Sequence, residues 1–343
     1  MTGLDPMERI TALFDSAPLR LSFAARTPTE VKAWQGELRE RLIDLIGGIP
    51  ARAADLAART GEVVAFPDYR REEISLQSRP GERVPGYLLT PRGTPPFPVM
   101  VCVPGHGRGV EDIVGIDEDG SQRAELGGYS YDFAIQAVRQ GMAAVAIEPM
   151  GFGSRRDARS AKEGPGASAC QPVAAAALLF AQTMVAWRVH DVMRTIDWVG
   201  TRTELDPTRV GCMGISGGGM VTLFAAALDE RIRVALVSGY LNTFKDSIGS
   251  LSHCVDNYVP GILNWCEMYD VAGLVAPRPL FAEFGERDPI FPLAASQESV
   301  ARVGRMYDVI GSPATFGYEQ HPGEHEFSGR LGLPFAAAAL GLT

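Results

Sequence analysis

The sequence predicts an α/β protein built on a mostly parallel, doubly wound sheet. Continuous apolar runs of strand length, such as VMVCV at 99–103 and AAVAI at 143–147, alternate with longer segments of helical periodicity. Runs that are apolar on both faces are typical of strands covered by helices on both sides. Regular alternation of strands and helices favours parallel pairing.

The elements follow one another from residue 71 to the end of the chain. Residues 71–77 and 83–91 predict an antiparallel hairpin at the edge of the sheet. Further strands are predicted at 97–103, 142–147, 209–215, 233–241, 278–285 and 314–320, and helices at 131–141, 180–200, 219–229, 296–311 and 335–342.

Two regions fall outside this alternation. Helical periodicity runs from about residue 6 to 60 and is clearest in VKAWQGELRERLIDLIGGIP at 31–50. It predicts an N-terminal helical segment at 1–64 before the main domain at 65–343. Residues of about 155–175 and 243–270 predict insertions into the main domain. Because ligands bind beyond the carboxyl ends of the strands in such sheets, these insertions are candidate walls of a binding site.

Composition excludes several classes of partner. A net charge of −9 and a pI of about 5.2 argue against nucleic acid, which needs a basic face. The five cysteines have no C-x-x-C spacing and predict neither a disulfide framework nor a zinc site. With no signal-peptide pattern and no apolar stretch of membrane-spanning length, a cytoplasmic protein without a membrane partner is expected.

The segment Gly214-Ile215-Ser216-Gly217-Gly218 has the G-x-S-x-G pattern of a nucleophile elbow. It follows an apolar strand and precedes a helical run, as an elbow requires. Small residues at 214 and 218 allow the sharp turn that exposes the serine. Ser216 is therefore the candidate nucleophile, and the alternative is a glycine-rich turn with a capping serine.

Acyl transfer also needs donors for the developing oxyanion. The N–H of Gly217 is one candidate, and the loop after strand 97–103 offers the N–H of Gly107 or Arg108. This loop fails the dinucleotide pattern because Val110 replaces the third glycine. His106 is interpreted as a residue that fixes the loop.

The acid and base are expected after the serine, in that order. Asp288 follows a predicted strand and is the candidate acid, with Glu286 as its rival. His325, in the loop before the last helix, is the candidate base, with His321 as the alternative. This triad needs no cofactor and no metal.

The chain resembles the α/β-hydrolase superfamily, within it the branch described as dienelactone hydrolase-like or acetyl xylan esterase-like, over about 65–343. The segments that carry the resemblance are VPGHGRG, EPMGFGSRRD, RVHDVMRTIDWV, GISGGG, SHCVDNYVPGI, APRPLFAEFGERDPIFP and GEHEF. The resemblance implies an α/β-hydrolase fold and hydrolysis of a carboxylic ester through an acyl-enzyme.

Substrate contacts are predicted from position. Arg155 and Arg156 could hold a substrate carboxylate, or could form a structural ion pair. His253, Tyr258 and Trp265 in the second insertion could bind an acyl or aryl group, or could pack the insertion onto the body.

Three function hypotheses remain. The first is a serine esterase for a small or medium-sized ester. The second is an amide or C–C bond hydrolase with the same triad, and the third is a catalytically inactive binding protein. A homodimer through the N-terminal helices is a further hypothesis. The acidic run 117–119 lacks a full calcium-binding loop and is interpreted as solvated.

Overall fold

Nine strands form one sheet in the described part of the chain, which covers residues 5–51, 55–250 and 253–342 of a computed structural model. The strands are β1 (Arg59–Ala65), β2 (Tyr69–Arg79), β3 (Glu82–Pro91), β4 (Phe97–Val103), β5 (Ala143–Ile147), β6 (Leu205–Ile215), β7 (Ile232–Ser238), β8 (Leu280–Gly285) and β9 (Phe316–His321). Their order is β1-β2-β3-β5-β4-β6-β7-β8-β9. Pairing is antiparallel from β1 through β3 to β5 and parallel from β5 to β9.

Helices cover both faces of this sheet. They are α1 (Pro6–Asp15), α2 (Pro28–Leu45), α3 (Phe133–Arg139), α4 (Cys170–Leu178), α5 (Met184–Val199), α6 (Gly217–Leu228), α7 (Met268–Gly273), α8 (Leu293–Ile310) and α9 (Gly332–Ala339). The helices α2, α5, α6, α7 and α8 contribute to one hydrophobic core, and α3 and α9 to a second. No helix in the described ranges is both long and apolar enough to cross a bilayer.

The central strand β4 explains the unbroken apolar runs. All seven of its residues are buried. Val99, Val101 and Val103 belong to one core, whereas Met100 and Cys102 belong to the other. Because successive side chains point to opposite faces, a strand between two helical layers must be apolar at every position. The predicted doubly wound, mostly parallel sheet is confirmed.

The N-terminal region differs from its prediction. The sheet begins with β1 at Arg59, inside the segment 1–64 that was predicted to be helical, while residues 1–4 and 52–54 lie outside the described residues. Helix α2 starts at a capping box of Thr27 and Glu30 and buries its apolar face in the main core. Its Gln35 side chain donates to the carbonyl oxygens of Gly273 (2.9 Å) and Ala276 (2.7 Å). Helix α2 is therefore part of the main body.

We predict that Leu38→Ala lowers the free energy of unfolding by about 2–5 kcal/mol, because it leaves a cavity in the core. Leu38 is fully buried in α2. Urea unfolding measures the change, and Glu37→Ala, at an exposed neighbouring position, is the control. If Leu38→Ala destabilised only the helix α2 and left the unfolding transition of the sheet unchanged, the result would show that α2 folds separately.

Candidate active site

Ser216 lies in a strained turn between β6 and α6. Its backbone adopts φ 56° and ψ −121°, in the region that only glycine enters easily. A methyl group on Gly218 would overlap the carbonyl oxygen of Val103, and one on Gly214 would crowd the same oxygen. The two glycines therefore let α6 approach the end of β4, and this close approach holds Ser216 in the elbow.

His325 and Asp288 form a hydrogen-bonded pair at the same edge of the sheet. His325 Nδ1 lies 2.7 Å from Asp288 Oδ2, and the other carboxylate oxygen accepts the N–H groups of Ile290 (2.8 Å) and Phe291 (3.0 Å). The imidazole stacks between Tyr129 and Phe291. His325 Nε2 is buried and has no hydrogen-bond partner in the described ranges. It is therefore available to accept a proton.

The rival acid and base have other partners. Glu286 is exposed and accepts a hydrogen bond from Gln320 at 2.8 Å. His321 Nδ1 accepts the N–H of Gly323 at 3.2 Å, at the end of β9. Neither lies in the hydrogen-bonded pair, so the geometry favours Asp288 and His325.

Ser216 and His325 line one cavity of about 390 Å³, together with His106, Tyr129, His253, Cys254 and Ile290. Ser216 follows β6 and the loop 105–109 follows β4, and the strand order reverses between these two strands. Such a reversal opens a crevice at the carboxyl edge of the sheet. Of the residues predicted to contact substrate, His253 lies in this cavity. Tyr129, Cys254 and Ile290 were not predicted. Cys254 and Ile290 lie in segments that carry the family resemblance, but no catalytic pattern singles them out.

The predicted oxyanion donors differ in availability. Gly217 is the first residue of α6, so its N–H lies outside the helical hydrogen-bond ladder. The N–H of Arg108 donates to Asp112 Oδ2 at 2.8 Å, and its guanidinium pairs with the same carboxylate. The N–H of Gly107 has no acceptor in the described part of the chain. The structure thus disfavours Arg108 and retains Gly107.

The two arginines predicted to bind substrate are used within the protein. Arg155 Nη1 pairs with the buried Asp191 at 2.6 Å, and Arg156 donates to the carbonyl oxygens of Gly153 and Gly164, both at 2.6 Å. Neither lines the cavity that holds Ser216; Arg156 lines a separate one of about 590 Å³. The prediction for these residues is corrected in favour of the structural alternative.

Tyr258 and Trp265 also lie elsewhere. The hydroxyl of Tyr258 donates to the carbonyl oxygen of Ile248 at 2.8 Å. Trp265 packs under the guanidinium groups of Arg20 (5.2 Å) and Arg41 (4.1 Å). Both therefore hold the insertion and the N-terminal region in place and do not line the cavity of Ser216.

Buried carboxylates hold the loops of the site. Glu283 at the end of β8 accepts the N–H groups of Ser328 and Gly329, both at 3.0 Å, just after His325. Glu148 after β5 accepts the N–H of Val110 at 3.0 Å, beside the loop 105–109. Burial raises the pKa of each of these acids to about 7. No motif marks these two acids in the sequence, although an acid near the carboxyl end of an apolar strand is a usable signal.

A cluster of His106, Cys254 and Asp256 brings three candidate metal ligands within 4.8 Å of one another. The Asp256 carboxylate already binds Arg188 at 2.6 Å and Asn257 at 2.9 Å. A metal ion here would stand beside the guanidinium of Arg188, and the two positive charges would repel each other. We assign no metal to this cluster.

The sheet order, the elbow after β6 and the acid and histidine after β8 and β9 define an α/β-hydrolase fold. A model of the Abhydrolase family matches residues 10–321. The chain belongs to this family.

Several known proteins are similar to this chain in sequence or in structure. A Bacillus subtilis protein named "Putative hydrolase YtaP" is 24% identical over 268 residues, which cover 75% of this chain and 83% of that protein. A crystal structure described as a "putative acetyl xylan esterase" from Bacteroides fragilis has a TM-score of 0.78 at 18% identity, covering 93% of this chain and 83% of that one. A glucuronoyl esterase from Solibacter usitatus has a TM-score of 0.68 at 16% identity, covering 90% and 94%. These structures share the α/β-hydrolase fold with this chain.

We predict that Glu283→Gln flattens the dependence of stability on pH. The pKa of Glu283 rises from 4.5 to about 7 on folding, so only the folded chain keeps this proton between those values. Raising the pH through this window therefore removes stability, by up to about 1.4 kcal/mol per pH unit for one proton. Urea unfolding between about pH 5 and 8 measures the slope.

The control for this prediction is Glu286→Gln, which replaces an exposed acid nearby and should keep the wild-type slope. Parallel stability curves for Glu283→Gln and wild type would contradict a proton held by Glu283.

Proposed function

We propose that this protein is a serine hydrolase that cleaves a carboxylic ester of a small or medium-sized substrate through an acyl-enzyme. The observation that carries the proposal is the meeting of Ser216, in its strained elbow, and the His325–Asp288 pair in one cavity. A hydroxyl is a poor nucleophile and needs a base beside it. His325 Nε2 is suited to that task because it is buried and has no hydrogen-bond partner among the described residues.

The proposed reaction has two steps. His325 Nε2 takes the proton of Ser216 as the hydroxyl oxygen attacks the ester carbonyl, and Asp288 stabilises the imidazolium through Nδ1–H. His325 then protonates the leaving alcohol. Water repeats the sequence on the acyl-enzyme and releases the acid. The N–H groups of Gly217 and Gly107 are the proposed donors to the oxyanion.

The comparisons support ester chemistry. The similar structures include proteins named as an acetyl xylan esterase and a glucuronoyl esterase, and both names describe ester cleavage. A cavity of about 390 Å³ has room for a short acyl group. Cleavage of an amide or a C–C bond by the same residues is the alternative, which substrate assays will separate from esterase activity.

We predict that wild-type protein hydrolyses p-nitrophenyl acetate or butyrate, and that Ser216→Ala lowers kcat by about 10⁴-fold or more. A fluorophosphonate probe should label wild type at Ser216 and leave the variant unlabelled. Intact-protein and peptide mass spectrometry read the labelling. If wild type and Ser216→Ala hydrolysed the ester equally slowly and Ser216 stayed unlabelled, the hydrolase proposal would be refuted.

We predict that Asp288→Asn lowers kcat by about 10³–10⁴-fold, because the amide no longer fixes the His325 tautomer with its proton on Nδ1. Glu286→Gln removes the rival acid and should change kcat less than about threefold, since its side chain contacts Gln320 on the surface. Steady-state kinetics on the same ester compares the two. The reverse order of losses would reassign the acid.

A further inference from the structure

The His106 side chain lies beside the predicted oxyanion donor. A methyl carbon placed on Gly217 would stand 3.2 Å from His106 Nδ1, so the ring fills the space where residue 217 would otherwise carry a side chain. The ring also lines the cavity that holds Ser216 and His325, and 27% of its surface is exposed. His106 Nδ1 is therefore at the end of the cavity where the oxyanion would form.

The opposite nitrogen of His106 faces a buried carboxylate. His106 Nε2 lies 3.4 Å from Asp256 Oδ2, a distance of an ion pair without hydrogen-bond geometry. The Asp256 side chain is completely buried and accepts a charged hydrogen bond from Arg188 at 2.6 Å. Phe152 contacts both cations, with the Arg188 guanidinium over its ring at 4.5 Å and the His106 ring in a T-shaped contact at 4.6 Å. Because the positive charge of Arg188 and the negative charge of Asp256 cancel, a protonated His106 leaves one net positive charge at the cavity wall.

The surroundings favour that protonated form. Burial opposes the imidazolium, but the contacts with Asp256, Cys170 and Cys254 outweigh it and raise the pKa of His106 well above its ordinary value. The titratable and charged groups around His106 are His253, Cys254 and Asp256 of the insertion, Cys170 of α4, Arg188 of α5, and Tyr129 and His325 of the cavity. No carboxylate lines the cavity itself among the described residues.

We propose that His106 Nδ1–H donates a charged hydrogen bond to the oxyanion, and that Asp256 and Arg188 are positioning residues that keep His106 protonated and oriented. This inference rests on the proposed function. When Ser216 Oγ bonds to the carbonyl carbon, its proton passes to His325 Nε2 and the carbonyl π electrons move onto oxygen. The oxyanion accepts a hydrogen bond from His106 Nδ1–H until the carbonyl re-forms. The alcohol then leaves with the proton from His325.

This role has a signature in the pH profile. His325 must be neutral to act as a base, so activity is lost at low pH. His106 must be charged, so activity is lost as the pH rises through its raised pKa. The wild-type profile of kcat/KM is therefore bell-shaped, and its alkaline limb belongs to His106. A neutral His106 that only fixes the loop produces no such limb, and the two amide variants below separate loss of a donor from loss of the ion pair with Asp256.

The test compares two amides at position 106. In His106→Asn the side-chain nitrogen takes the place of Nδ1 beside Gly217, whereas in His106→Gln it takes the place of Nε2 toward Asp256. With p-nitrophenyl acetate, we expect His106→Gln to lower kcat by about 10²–10³-fold and to leave KM little changed, because this variant loses one donor to the oxyanion. The variant His106→Asn keeps a neutral donor beside Gly217, so its kcat should fall only about tenfold. Both variants should lack the alkaline limb.

A second variant tests the positioning residue. Asp256→Asn removes the charge that holds the proton on His106, so the alkaline limb should move to lower pH. In parallel, nitrogen-15 NMR of the histidine rings should show both nitrogens of His106 protonated above neutral pH in wild type. That readout does not need turnover, and it stands if Asp256→Asn folds poorly. Thermal unfolding and the labelled fraction of Ser216 report folding of each variant.

The outcomes separate the two proposals. If His106→Gln keeps kcat within about threefold of wild type, or keeps the alkaline limb, the role of His106 is overturned while the esterase proposal stands. A neutral His106 ring in the NMR spectrum at neutral pH also overturns it. If wild type shows no ester hydrolysis and no label on Ser216, the proposed function fails and this inference falls with it.

Discussion

The closeness of α6 to the end of β4 is the constraint on which the site depends. The carbonyl oxygen of Val103 occupies the space where Gly214 and Gly218 would carry a methyl group. This approach forces the chain to turn within one residue, and the cost is the positive φ of Ser216. The same contact sets the neighbouring loop, because Gly105 packs against Ser216 Cβ. The serine and the loop 105–109 therefore cannot move independently.

Carboxylates provide a second set of constraints. The loop that carries His325 is held by Glu283, the loop after β4 by Glu148, and the insertion by Asp256. Each acid accepts hydrogen bonds from backbone N–H groups or from an arginine, so removing it takes an acceptor away from a buried donor. Burial of a carboxylate is unfavourable. The protein thus exchanges some stability for loops with one conformation.

The sequence predicted the architecture because β4 to β9 and their helices have strong apolar patterns, and it predicted the order of Ser216, Asp288 and His325 because each follows a strand. It missed β1 because that edge strand is almost entirely exposed and has no apolar alternation. It left Arg155 open between substrate binding and a structural ion pair, because the partner Asp191 is 36 residues away and tertiary packing decides where the guanidinium lies. For the same reason it left Tyr258 and Trp265 open between substrate binding and packing of the insertion.

The integration of α2 into the main core has a consequence for synthesis of the chain. Gln35 bonds to carbonyl groups that lie 238 and 241 residues further on. A ribosome that adds about 5–20 residues per second needs roughly 10–50 s to produce those partners. During that interval the apolar face of α2, with Val31, Leu38 and Leu42, lacks the core partners that α6, α7 and α8 provide in the folded chain. The core face of α2 therefore gains these contacts only after residues 273–276 have been synthesised.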